Sequence, residues 1–295
     1  MSVRGEKFLA LANIDYAGKS IEELRELFRK ALASGMHGLC SSPYQEGQQP
    51  GDQLSEEQVR RRLEIMRPYT KWIRTFSCTE GNEMIAKVAK EMGMKTLVGA
   101  WLGDDPEINE KEVETLIQLA KEGYVDIAAV GNEVMYRGDL TEEELLAFIN
   151  KAKEEIPDEI PVGYVDAYYE FTDRSAITDA CDLILANCYP FWEGCDLDYS
   201  LLYVKDMYNR AKIAGNGKRV IITETGWPSE GTNLRGAFPS EENAIKYFIN
   251  AQKWSQEDDI EMFYFSSFDE PLKVGAEGDV GAYWGIWDKD EKLKY

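Results

Sequence analysis

Two glutamates stand where short apolar runs give way to glycine-bearing turns, in Val130-Gly-Asn-Glu133 and in Ile222-Thr-Glu224-Thr-Gly-Trp-Pro228. A pair of carboxyl groups that face one another can divide acid and base work. One protonates a departing oxygen, and the other attacks carbon or activates water. That division suits the cleavage of acetal bonds between sugars. The composition points the same way, with 54 acidic against 33 basic side chains and 12% aromatic residues. Aromatic rings offer flat apolar faces on which the C–H faces of sugars can stack. The chain has one histidine, His37, so metal sites built on several imidazoles are excluded and a Ser-His-Asp or Cys-His triad has a single candidate. His37 lies in Gly35-Met-His-Gly-Leu39, at the start of an apolar run where a structural role is expected.

The elements that must position these glutamates follow from hydrophobic patterning. Eight apolar runs recur between amphipathic stretches and are read as strands: Met36–Ser41, Trp72–Phe76, Thr96–Ala100, Val125–Val130, Pro161–Val165, Asp182–Asn187, Arg219–Thr223 and Ile260–Ser266. Helix starts are marked by candidate capping boxes at Ser20 with Glu23, Ser55 with Gln58 and Thr141 with Glu144. Eight strands alternating with helices in 295 residues predict a (β/α)8 barrel forming one domain over 1–295, its active site at the C-terminal ends of the strands. Glu133 and Glu224 then end strands four and seven, on opposite walls. A doubly wound sheet is the competing fold, but Cys40-Ser-Ser-Pro-Tyr44 lacks the glycines of a phosphate-binding turn. Little chain follows the eighth strand, so the segment Ser20–Ala33 is expected to supply the missing outer helix from the N-terminal side.

Charge and composition narrow the partners. The net charge is −21 and the sequence pI about 4.5, which opposes binding to nucleic acid or anionic membrane surfaces. The densest cationic run, Arg60 to Arg62 with Arg67, is interleaved with Glu56, Glu57 and Glu64 and reads as a solvated helix face. No uncharged apolar run approaches the ~20 residues of a bilayer span, so a soluble monomer is expected. The opening residues carry Glu6 and Lys7 ahead of the short apolar stretch Phe8–Ala12, which does not read as a secretory leader. The five cysteines lack C-x-x-C spacing and read as reduced, mostly buried thiols. The absent leader and the unpaired thiols lean toward the cytoplasm, whereas a polymeric substrate leans outside the cell.

Val-Gly-Asn-Glu133 and Thr-Glu224-Thr-Gly-Trp-Pro-Ser229 resemble the paired motifs of glycoside hydrolase family 17, the β-1,3-glucanases and related glucan transferases, in their bacterial and fungal branch. Further similarity runs from Gly38 to Tyr295 through Ser42-Pro-Tyr44, Ile73-Arg-Thr-Phe-Ser77, Ala186-Asn-Cys-Tyr-Pro190, Phe265-Ser-Ser-Phe-Asp-Glu270 and Trp284-Gly-Ile-Trp287. The resemblance implies a retaining, cofactor-free and metal-free enzyme acting on β-glucan, with Glu133 as acid/base and Glu224 as nucleophile; residue chemistry by itself leaves open which is which. It also implies that Asn132 holds a sugar hydroxyl and that Tyr189 positions the nucleophile. Glu270 and Lys273 resemble a carboxylate and lysine near the family's active site, although Pro271-Leu272 between them departs from the pattern of the plant enzymes. Tyr44, Phe191, Trp192, Trp227, Trp284 and Trp287 are candidate sugar platforms, with core packing as the alternative, and Trp192 leads them. Arg74 and Asp269, at the ends of strands two and eight, are expected to support the carboxylates. A glucan transglycosylase and a non-catalytic glucan-binding barrel are the rival functions.

Overall fold

The computed structural model describes residues 16–295. The reading of residues 1–15 as lacking a secretory leader lies outside that range. All eight expected strands form: β1 Met36–Cys40, β2 Thr70–Arg74, β3 Lys95–Ala100, β4 Ile127–Asn132, β5 Val162–Ala167, β6 Ile184–Asn187, β7 Val220–Thr225 and β8 Met262–Tyr264. Each pairs in parallel with the next, and β8 closes on β1 through Gly38 opposite Phe263 and Leu39 opposite Tyr264. The fold is a (β/α)8 barrel.

At that seam a Cβ on Gly38 would lie 2.4 Å from the Phe263 ring, so a larger residue would displace that buried ring. His37 beside it is packed between Trp72 and Phe263, and burial pushes its imidazole down to about 4, in keeping with a structural role. Four cysteines are buried, Cys195 is half-buried, and all five are free.

The helix Ile21–Ala33 opens with the complete capping box at Ser20 and Glu23. Its buried Phe28 meets Phe248 and Tyr295 at ring centroid distances of 4.7 and 5.0 Å, and Arg25 pairs with Glu241 at 2.6 Å. It thereby lies against the helix Glu241–Glu257 that precedes β8, in the position expected of an outer helix. The box at Thr141 is also complete, but at Ser55 only half forms. Ser55 Oγ accepts from Gln58 N, whereas the Gln58 amide turns away to donate to Pro43 O and Gln48 Oε1. The loop after β1 thus competes successfully for that side chain.

Strand bounds shift by up to two residues. β2 begins and ends two residues before the expected run, and β4, β5 and β7 each extend two further. As a result Arg74, Asn132, Asn187 and Glu224 all lie within the last two residues of their strands, at one depth around the mouth.

Candidate active site

Glu133 leaves β4 with a left-handed backbone, φ 52° and ψ 30°, after Gly131 at φ 87°. A non-glycine residue in that region is uncommon and is held there by its surroundings. Glu133 N donates to Val165 O at 2.8 Å. The one-turn helix Val134–Arg137 that follows is anchored on β5: Tyr164 Oη accepts from Met135 N at 2.9 Å and donates to the Asp166 carboxylate, which also accepts from Tyr136 N at 3.3 Å. Arg137 clamps the other side, donating to Asn132 O at 2.6 Å and Leu102 O at 3.0 Å.

Glu224 is buried and surrounded by donors. Arg74 Nη1 reaches Oε1 at 2.7 Å, Asn187 Nδ2 reaches the same oxygen at 3.0 Å, and Tyr189 Oη reaches Oε2 at 2.7 Å. Burial opposes the charge on Arg74, but the Glu224 carboxylate outweighs it and holds the guanidinium protonated. Arg74 Nη2 also donates to Asn132 Oδ1 at 2.7 Å, tying β2, β4 and β7 together. Burial, reinforced by Glu224, pushes the Tyr189 phenol well up, so it remains a donor.

One amide links the two glutamates. Asn187 Nδ2 donates to Glu133 Oε1 at 2.9 Å and to Glu224 Oε1 at 3.0 Å, while Asn187 Oδ1 accepts from Thr223 Oγ1 at 2.8 Å. Because both oxygens bond the same nitrogen, they can lie no further apart than the two bonds laid end to end, about 5.9 Å. Retaining glycosidases use about 5–5.5 Å, and inverting ones about 6.5–9.5 Å.

The electrostatics separate the pair. Burial, with Glu224 and Asp166 adding to it, pushes the Glu133 carboxyl up to about 7, against lowering by Asn187 and Arg137. Glu133 can therefore carry a proton near neutrality, while Glu224 faces an arginine, an amide and a phenol that all donate. An acid beside a donor-ringed carboxylate is the arrangement that proton donation and nucleophilic attack require.

Two adjoining cavities, about 520 and 400 Å³, meet at Glu133, Glu224, Phe265 and Glu277. The larger extends over the ends of β1 to β3 past Tyr44, Phe76, Asn82 and Trp101. The smaller extends over β5 and β6 past Tyr136, Tyr169 and Trp192. Glu270 and Lys273 form an ion pair at 2.9 Å on the wall of the larger one, joined through the single turn Pro271–Lys273, and Lys273 Nζ lies 4.3 Å from the centre of the Phe265 ring. Burial alone would weaken the lysine's hold on its proton; the Glu270 and Glu277 carboxylates reverse that.

Most predicted site residues meet here: Glu133, Glu224, Asn132, Tyr189, Tyr44, Trp192, Glu270, Lys273 and Arg74 all line the cavities or touch the pair. Two do not. Asp269 lies well past the end of β8, accepting from Lys294 Nζ at 3.0 Å and Gly285 N at 2.8 Å, and it steadies the C-terminal segment, not the carboxylates. Trp227 is 1% exposed, its Nε1 donates to Phe238 O at 2.9 Å, and its ring packs on Phe191 and Tyr247. Gly226 passes so near Phe265 O that a Cβ would lie 2.1 Å away, and this close passage carries the indole behind the wall. Phe191, Trp284 and Trp287 are buried likewise, leaving Trp192, 39% exposed, as the open tryptophan of that group.

Sequence reasoning missed Asn187, although it ends an apolar run inside a motif already singled out. It also missed Glu277, which burial pushes up to about 7, with Glu270 and Glu224 adding to the effect and Lys273 opposing it. Among the described residues, no group of three or more His, Cys, Asp or Glu could hold a metal ion, and no helix is long and apolar enough to cross a membrane.

Residues 38–285 match the family described as the BtgE/BtgC glycoside hydrolase domain. A glucan 1,3-beta-glucosidase of Saccharomyces cerevisiae is 26% identical over 79% of this chain and 82% of its own length. A glucan 1,3-beta-glucosidase of Arthroderma benhamiae is 29% identical over the same shares. The crystal structure of a glycoside hydrolase family 17 beta-1,3-glucanosyltransferase from Rhizomucor miehei superposes with a TM-score of 0.79 at 29% identity, covering 89% of this chain and 96% of that one. A Bacteroides uniformis beta-glucuronidase, with a TM-score of 0.66 at 18% identity over 88% of this chain and 34% of that one, shares the fold.

Proposed function

The chain belongs to the BtgE/BtgC glycoside hydrolase domain family, and from that premise we propose that it cleaves β-1,3-linked glucan with retention of anomeric configuration, residues 1–295 forming one catalytic unit. The observation that carries this reading is the amide of Asn187 bonded to both Glu133 and Glu224, a spacing that leaves room for a sugar carbon and its leaving oxygen but not for an interposed water. Glu133 donates its proton to the glycosidic oxygen while Glu224 attacks the anomeric carbon to form a glucosyl ester. Esterification removes the charge on Glu224, one of the causes that raise Glu133's proton affinity. Glu133, now deprotonated, becomes a better-matched base for the second step. Asn132, whose Oδ1 is taken by Arg74, offers its Nδ2 to a hydroxyl of the sugar undergoing cleavage. Tyr189 and Arg74 fix the line of attack.

The similarity to the Rhizomucor miehei glucanosyltransferase favours a second reading, in which the ester passes to a sugar hydroxyl. Incubation with laminari-oligosaccharides, followed by product length and by anomeric NMR, separates the outcomes. Hydrolysis yields only shorter sugars and frees a new reducing end in the β form at first, whereas transfer yields longer ones and places that carbon in a new β linkage. Initial α product would defeat the retaining mechanism. The Glu224→Gln protein is expected to lose at least a thousandfold in kcat, and undiminished turnover would leave the glutamate pair without a catalytic role.

A further inference from the structure

An exposed indole on the wall of the larger cavity is not used by the chemistry above. Trp101 follows directly on β3 and is 38% exposed, yet it is tightly held. Its backbone N–H donates to Glu112 Oε2 at 3.0 Å, and the Arg137 guanidinium covers its ring at 4.4 Å from the centroid. Arg137 is itself fixed by Asp139 at 2.7 Å and by the carbonyls of Asn132 and Leu102. Glu112 is fixed as well, accepting from Thr79 Oγ1 at 2.6 Å and Cys78 N at 2.8 Å. A large apolar ring kept in contact with solvent on a rigid mount loses little entropy when a ligand stacks on it. Ser77, Thr79 and Asn82 line the same cavity with uncharged polar side chains, while Glu80 and Glu112 in that wall disfavour an anionic ligand.

We propose that Trp101 is a stacking subsite for a neutral glucosyl ring of the substrate chain, separate from the ring being cleaved. This rests on the reading of the protein as a β-1,3-glucan-cleaving enzyme. The subsite has a physical connection to the chemistry. Arg137, which supports the indole, also grips Asn132 O, the carbonyl of the peptide leading into Glu133. A sugar stacked on that indole therefore acts on the residue that holds the turn carrying the acid. Remote binding energy used in this way raises turnover as well as affinity.

The test is kcat/KM for consumption of each sugar from laminaribiose to laminariheptaose, which counts hydrolysis and transfer alike. In the natural enzyme, kcat/KM is expected to climb with chain length and level off once the Trp101 subsite is filled. Trp101→Ala is expected to lose roughly fivefold to tenfold on the long sugars and distinctly less on the short ones. Trp101→Phe, which keeps an aromatic face, should retain most of the gain. Equal losses at every length, no loss at any length, or a natural enzyme indifferent to length would each overturn the subsite. Failure of the natural enzyme to consume any of these sugars would instead overturn the functional reading on which the subsite rests.

Discussion

At the scale of single residues, the surroundings make two chemically identical side chains unlike. Asp166 contributes from behind the cavity wall. It is fully buried behind the turn that follows Glu133, with Tyr164 and Glu170 nearby, and burial pushes it up to about 6. Its charge helps Glu133 hold its proton. Asp166→Asn preserves an acceptor for Tyr136 N and the Tyr164 hydroxyl but removes that charge, so the alkaline limb of kcat/KM, expected near pH 7 from Glu133, should move to lower pH by roughly half a unit. A pH–rate profile reads this directly, and an unmoved limb would mean that Asp166 only braces the turn. The glutamates were legible in the sequence because a carboxylate after an apolar run marks the mouth of a barrel. Asn187 was less so: an amide has no charge to attract notice, and only the register of β6 beside β7 brings it between the two carboxylates. Trp227 and Asp269 were misjudged because spacing gives distance from a strand end but not the side of the wall on which a ring comes to lie.

At the scale of elements, the strands supply the site and the helices keep the strands in register. The helix Ile21–Ala33 was readable from its capping box and its apolar face, and its place from the short chain left after β8. Strand limits were less readable, since apolar character continues past the last ladder bond at Phe76 and polar residues such as Asn132 still belong to the sheet. Phe28 is one of three buried apolar side chains of that helix, beside Leu24 and Leu32, and packs against Phe248 and Tyr295. Phe28→Ala should cost about 3–5 kcal/mol through lost transfer energy and the cavity left behind. The measure is the urea midpoint; a change below 1 kcal/mol, on the order of a surface substitution, would mean that the helix contributes little to the barrel.

At the scale of the whole molecule, acidity shapes stability. Glu133 and Glu277 are raised from 4.5 to about 7, and Asp166 and Asp269 from 3.8 to about 6, in each case chiefly by burial. These groups bind protons more readily folded than unfolded, so the stability they add is complete below pH ~4 and lost as pH rises through 6 to 7. Glu261 and Glu291, lowered by Arg219 and by Arg61 against the opposing effect of burial, act in the reverse sense and lose their contribution on acidification. Thermal melts across pH should therefore peak at mildly acidic pH, with Tm lower at pH 8 than at pH 5.5; a flat or rising trend over that interval would contradict the assignment. The closing pair β1 and β8 has a consequence in time. Gly38 must find Phe263 across most of the chain, and Arg74, Asn132, Asn187 and Glu224 arrive on four different strands. Such distant pairings form late. On dilution from denaturant, helical circular dichroism should recover first and sugar-cleaving activity afterwards, its lag timing the moment the cylinder shuts.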